Sequence, residues 1–242
     1  MEQTWYHLLF MHWPVDAAML RPFVPRELEI ETFDGSAWLG VIPFGMKNIR
    51  LRGLPAIPGT SAFLELNVRT YVRLHANDHV QESQQKPGVW FFSLDAANRL
   101  AVEVARRWFH LPYYFAAMKL AENNNSFHYK STRAHRGSPA AEFECKYSPD
   151  GEVYHSKPGS LDSWLTERYC LYSSNGKGAV MRGEIHHAPW KLQRAAAEIV
   201  MNSMPNASNL TIPRQNPILH FSREIDVQIW PIERIITKTS AP

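Results

Sequence analysis

Alternation of apolar and polar residues dominates this chain, and its clearest run is Ala62 to Arg73. Leu64, Leu66, Val68, Thr70 and Val72 fall on one face of that segment; Phe63, Glu65, Asn67, Arg69, Tyr71 and Arg73 fall on the other. A repeat of two is the side-chain period of a β-strand. Shorter runs predict strands over Ala37–Phe44, Val89–Leu94, Phe127–Arg133, Glu142–Tyr147, Arg168–Tyr172, Ala179–His187 and Leu219–Trp230. The last is long for one strand and is divided near Ser222. Turn signals lie between these runs: Asp34-Gly35, Pro58-Gly59, Pro87-Gly88, Pro149-Asp150-Gly151, Pro158-Gly159 and a hairpin signal at Asn175-Gly176. Short strands separated by frequent turns are the pattern of a barrel or sandwich.

Helical period is confined to a few places. Pro14 suits the first turn of a helix over Val15–Leu20, which Pro22 stops. A second helix is predicted from about Ala96 to Trp108, with Asp95 as its cap and Ala97, Leu100, Ala101, Val104 and Trp108 on one apolar stripe. Arg99–Glu103 and Glu103–Arg107 are spaced i,i+4 on its wet side, each worth roughly 0.2–0.5 kcal/mol. A helical turn from Ser160 carries Leu161, Trp164 and Leu165. Gln193–Met201 fits both periods: its alanines suit a helix, Ile199-Val200 a strand.

Composition changes this picture little. The 242 residues contain 12 Phe, 8 Trp and 9 Tyr, enough bulk for a sizeable core. No repeat or linker divides them, so one domain over residues 1–242 is expected. Net charge is +3, with cations interspersed among acids, and no basic stripe marks a nucleic-acid partner. No apolar run reaches the roughly eighteen residues of a membrane span. The residues from Met1 to Trp5 lack a signal-peptide pattern. Cys145 and Cys170 have no metal-ligand spacing and read as buried free thiols, so the cytoplasm is the expected compartment.

Several segments, in order, carry a resemblance: His12-Trp13-Pro14, Glu65-Leu-Asn-Val-Arg-Thr-Tyr-Val72, Trp90-Phe-Phe-Ser-Leu-Asp95, Leu161 to Tyr172, and Gly183-Glu-Ile-His-His187. Over about Phe10 to Trp230 the chain resembles the YqjF-like bacterial family of unknown function, itself similar to acetoacetate decarboxylase. The resemblance implies a mainly β fold, a curved antiparallel sheet closed into a cone-like barrel with flanking helices and an interior pocket. The decarboxylase carries a Gly-Arg-Glu-x-Trp-Gly-Phe-Pro-Lys-Lys segment, in which one lysine forms a Schiff base. Here the corresponding stretch is Ala105-Arg-Arg-Trp-Phe-His-Leu-Pro-Tyr-Tyr114, so Tyr113 and Tyr114 stand where the lysines would. A tyrosine forms no imine. Lys119 is the nearest amine in sequence. Self-association is expected from the relative's habit, although no interface is legible here.

The candidate chemistry follows. Glu65, Asn67, Arg69 and Tyr71 share a face that either meets water or, in a closed barrel, lines the interior. In the interior, Glu65 is the candidate acid or base and Arg69 an anion holder. Asn67, Tyr71, Tyr113, Tyr114 and His186 are candidate ligand contacts, with core packing the alternative for one of the two tyrosines. Glu184 and His186 would share a strand face, His187 the opposite one. Metal binding would need a third ligand that no spacing supplies, and no cofactor motif is present: there is no phosphate loop and no Gly-x-Ser-x-Gly elbow. His12 and His220 read as structural. The leading expectation is acid–base chemistry on a small anionic or carbonyl-bearing molecule. A non-catalytic ligand-binding module and a protein-interaction role with no small ligand are the alternatives.

Overall fold

The computed structural model describes residues 1–55, 59–75, 85–175 and 179–235. The chain runs through β1 (Glu2–Val15), α1 (Ala17–Leu20), β2 (Leu28–Ile30), β3 (Ala37–Arg50), β4 (Phe63–Leu74), β5 (Gly88–Ala96) and α2 (Arg99–Trp108). It continues through β6 (Tyr113–Asn123), β7 (Ser126–Arg133), β8 (Glu142–Tyr154), α3 (Leu161–Thr166), β9 (Cys170–Ser174), β10 (Val180–His187), β11 (Leu192–Asn202), β12 (Ile218–Ile229) and β13 (Glu233–Arg234). Among the described residues no helix is long and apolar enough to cross a membrane. Cys145 and Cys170 are buried free thiols, as expected.

All the strands belong to one sheet, whose pairing closes in two circuits. The first runs β5, β6, β7, β8, β11, β12, β1, β3 and β4, and returns from β4 to β5. The second leaves β5 through β9 and β10 and rejoins at β12. The two circuits share β12, β1, β3, β4 and β5 as a common wall. Pairing is antiparallel except for β5 with β6 and β5 with β9, which are parallel. The sheet is therefore mainly antiparallel, as expected, and α2 carries the chain back so that β6 begins parallel to β5.

Period two lets the wall serve both circuits. Leu66 and Val68 of β4 pack into a core with Leu9, Met11, Phe127, Tyr129, Phe143 and Phe221. Strands β7 and β8, with Leu20 of α1, cover this apolar set. Glu65, Asn67 and Arg69 face the second circuit.

The phase of the alternation slips where a residue is inserted. In β1, His7 adopts φ 52°, and the register with β3 shifts between Tyr6 and Met11. Gln3 and Trp5 therefore share a face with Leu8 and Phe10. Asn48 (φ 57°) does the same in β3, so that Met46 and Ile49 both point into the second circuit. These slips hide β1 from a reading by strict alternation. Strand β6 was also not predicted. Gln193–Met201 resolves as strand, paired to β8. Strand β12 is not divided at Ser222, which pairs with Leu8 in mid-strand. Strand β8 continues through the turn predicted at Pro149-Asp150-Gly151, with Gly151 at φ 79°. Gly176 of the predicted hairpin signal and Pro58 of another turn lie outside the described residues.

Helix α2 begins three residues later than predicted. Asn98 caps it, its side chain accepting from Ala101 N at 3.0 Å. Asp95 instead ends β5 and forms a buried ion pair with Arg133, whose Nη2 and Nε donate at 2.6 and 2.9 Å. Of the two predicted helix pairs, Glu103–Arg107 forms at 3.7 Å. Arg99 lies over the Phe115 ring, 3.9 Å from its centroid. The predicted apolar stripe does not enter a core: Leu100 is 61% and Trp108 74% exposed, and Val102 is the helix's buried residue.

Breaking the Asp95–Arg133 pair from one side strands a buried charge, which costs about 3–5 kcal/mol. Asp95→Ala is expected to lose stability on that scale in urea denaturation. Asp95→Leu combined with Arg133→Met is expected to recover most of it, since the pair is then replaced by apolar contact.

Candidate functional site

The second circuit is hollow. A cavity of about 610 Å3 opens inside it, walled mainly by apolar side chains, among them Trp5, Phe10, Phe44, Phe91, Leu94 and Ile185. Into this wall β4 sends every second residue, Glu65, Asn67 and Arg69. Tyr113, at the start of β6, joins them because β5 and β6 pair in register at Leu94 and Tyr113. Thr166 and Arg168, at the end of α3, and His187 of β10 complete the deep polar lining.

Glu65 is 4% exposed. The Tyr113 hydroxyl donates to its Oε2 at 2.6 Å, and the Asn67 side chain bonds it as well. Burial pushes the carboxyl up from 4.5 to about 7; the Tyr113 and Asn67 bonds oppose that rise, and nearby Asp95 adds to it. A carboxyl that titrates near neutrality can both give and accept a proton. Burial, and then the adjacent Glu65, holds the Tyr113 phenol well above its ordinary range, so it stays a donor.

Arg69 sits farther along the strand. Its guanidinium lies 5.8 Å from the Phe10 ring centroid and 5.7 Å from that of Tyr71, and its Nε is buried without a hydrogen-bond partner. The pairing of β4 with β5 shifts here: Val68 faces Ser93 and Arg69 faces Phe91, leaving Phe92 as an inserted residue. Such a bulge re-aims the neighbouring side chains. Tyr71, next on the same face, is fully buried beyond Arg69, its hydroxyl donating to the Leu165 carbonyl at 2.8 Å and contacting His12 Nε2 at 2.6 Å. Burial, then the charge of Arg69, holds His12 well below its ordinary value, so the imidazole is neutral. With the hydroxyl proton on Leu165, His12 is the donor to Tyr71. Arg168 also lies near Tyr71, 4.9 Å from the ring centroid. It donates from Nε to Trp164 O at 2.7 Å and pairs with Glu31, while its Nη2 has no partner.

Of the residues singled out from the sequence, Glu65, Asn67, Arg69 and Tyr113 meet at the cavity. Three do not line it. Tyr71 is packed in the core of the same circuit beyond Arg69. Tyr114 points the other way, its ring 4.0 Å from the Arg133 guanidinium and edge-on to His135. His186 is exposed on the outer face of β10, because the pairs Ile185–Ile229 and His187–Val227 turn the other set inward. The predicted sharing of a face by Glu184 and His186 holds, but that face is the outer one. Lys119 is exposed on β6 opposite Lys130 and offers the cavity no amine. Sequence reasoning did not assign Arg168, His187 or the apolar rim to the site, although Arg168 and His187 both sit in segments that carried the family resemblance.

Comparison with known proteins places this geometry. The model of the family DUF2071, described as an uncharacterized conserved protein, matches residues 2–226. The uncharacterized protein YqjF of Bacillus subtilis (strain 168) is 44% identical over 234 residues, covering 97% of this chain and 92% of that protein. Among solved structures, an acetoacetate decarboxylase-like enzyme from Sphingomonas wittichii RW1 superposes with a TM-score of 0.62 at 11% identity, covering 97% of this chain and 92% of that one. The enduracididine biosynthesis enzyme MppR complexed with pyruvate gives a TM-score of 0.62 at 10% identity, covering 96% and 89%. At such identities the likeness is one of fold: mostly β, with an acetoacetate decarboxylase-like architecture.

The elevated Glu65 group sets a stability signature. The folded state holds the proton that the unfolded chain releases above about 4.5, so stability is greatest below that pH and falls as pH rises through about 7. Glu65→Gln removes the titration. Its melting temperature relative to the parent is expected to rise between pH 5 and pH 8, by an amount equivalent to about 3 kcal/mol. A constant difference across that range in thermal melts would show that Glu65 ionises freely in the folded protein.

Proposed function

We propose that this chain, which belongs to the DUF2071 family, takes a small carbonyl- or carboxylate-bearing molecule into its cavity, where Glu65 moves a proton on it. One observation carries this reading: a buried carboxyl, held by Tyr113 at 2.6 Å, in a wall that is otherwise largely apolar. Burying such a group is costly, and a cavity keeps it where a ligand gives it work. Arg69, with an unpartnered Nε, is the anion holder; Arg168, anchored by Glu31, presents a second guanidinium beside it. Asn67 and Tyr113 orient Glu65. Proton removal from a carbon next to a carbonyl puts the proton on the Glu65 carboxylate and the electron pair on the carbonyl oxygen.

No Schiff base enters this scheme, because tyrosines occupy the positions that resemblance assigns to the decarboxylase lysines, and no lysine lines the cavity among the described residues. The pyruvate complex of MppR belongs to that protein, and the shared fold lends this chain only a weak analogy. We read the hollow circuit as the cone-like barrel of one domain spanning residues 1–242, and the buried free thiols Cys145 and Cys170 as suited to the cytoplasm. The apolar wall favours one second reading, a binding module without chemistry.

Two measurements separate these readings. A panel of keto and hydroxy acids is first screened for thermal stabilisation, and exchange of α-hydrogens for deuterium is then followed by NMR. The parent is expected to catalyse exchange on a bound acid, and Glu65→Gln to slow it about 10²–10⁴-fold with binding retained. Arg69→Ala is expected to weaken binding itself. Exchange indifferent to Glu65→Gln would defeat the acid–base reading, and stabilisation without any exchange would select the binding module.

A further inference from the structure

The cavity is larger than a short keto acid needs, and its open end is apolar. At about 30 Å3 for each water-sized unit, 610 Å3 accommodates roughly twenty non-hydrogen atoms. Its polar groups are arranged in depth along β4. Phe63 comes first, beside the residues that follow β3 and beside α2, to which Asn98 ties Gly59 O at 3.0 Å. Glu65, Asn67 and Arg69 follow, and at about 3.3 Å per residue Arg69 lies some 13 Å beyond Glu65.

The rim carries Leu51, Leu54, Leu100 and Trp108, which are 63%, 55%, 61% and 74% exposed yet line the same cavity. This is where the apolar stripe of α2 goes: it faces the opening. Adjacent exposed apolar side chains of this size mark a contact surface. The cation at the rim, Arg50, is already paired with Glu2 at 2.9 Å. At the far end Arg69 has no ion pair among the described residues.

We infer that the ligand is an amphiphile, its carboxylate seated at Arg69 and its hydrocarbon body running outward past Glu65 to the rim of Leu51, Leu54, Leu100 and Trp108. The inference rests on the cavity being a ligand site and names the class of molecule it takes. The occupant of the rim is the ligand's own tail, because rim and cavity form one continuous surface whose unpaired cation lies at the closed end. Among the described side chains lining the cavity between Asn67 and the rim, the charged one is Glu65, whose carboxyl burial pushes up to about 7.

The full chain is titrated with butanoate, octanoate, dodecanoate and hexadecanoate below their micellar concentrations, and with dodecanol, by calorimetry. Affinity is expected to rise about fourfold for each added methylene until the rim is passed. Dodecanoate is expected to bind roughly tenfold or more tightly than dodecanol, and Arg69→Gln to erase that preference. Leu100→Ser with Trp108→Ser is expected to flatten the chain-length dependence for the longer acids and leave butanoate unchanged. Short keto acids that bind and exchange, with no gain from chain length, would overturn the amphiphile and leave the acid–base site standing. If no acid of any length binds, both fall. If the double rim variant dissociates an oligomer in sedimentation while the chain-length dependence persists, a second copy covers the rim, and the tail assignment is wrong.

Discussion

Strand β4 is a wall with an enclosure on each side, and the rest of the structure depends on that wall. Its side chains alternate, so Leu66 and Val68 go to a packed core while Glu65, Asn67 and Arg69 go to a hollow one. Neither face meets bulk water over this stretch. The filled circuit supplies the apolar burial and dispersion that hold the wall rigid. The hollow circuit gives up that packing, and keeps instead a carboxyl, an amide and a guanidinium at fixed spacing. Glu65 tolerates its position because Tyr113 and Asn67 satisfy it and because it can keep its proton.

Inserted residues aim the other walls. A single slip at His7 moves the inward set of β1 from odd to even positions, and Asn48 does the reverse in β3. At Phe92 the insertion falls opposite Arg69, the residue with the least satisfied polar atoms in the wall. Each slip opens the local ladder by one residue and increases its twist, which helps so long a sheet bend back on itself.

Electrostatic separation organises the cavity. The guanidiniums of Arg69 and Arg168 lie 5.7 and 4.9 Å from the centroid of one tyrosine ring; Glu31 pairs with Arg168, and Arg69 has no ion pair among the described residues. Neutral His12 behind them lets Tyr71 stay fixed without adding charge. Asp95, which pushes the Glu65 carboxyl upward, is itself neutralised by Arg133 on the far side of the wall. The Cα atoms of Glu65 and Arg69 are separated by some 13 Å along one strand.

How much of this was legible in the sequence depended on range. The alternation from Phe63 to Arg73 determined by itself that Glu65, Asn67 and Arg69 share a face, and the turn residues and short runs determined a mainly β chain. The start of α3 at Ser160 was equally local, whereas Asp95, read as the cap of α2, pairs with Arg133, and Asn98 caps the helix. What alternation cannot say is which face lies inside. That was decided for β10 by its pairing with β12, which turned His187 inward and His186 out. It was decided for Tyr113 and Tyr114 by the parallel pairing of β6 with β5. The stripe of α2 looked like a core contact because a repeat of 3.6 marks an apolar face without naming what covers it. Period is a property of neighbours in the chain, whereas inside and outside exist only once distant strands have closed the circuits.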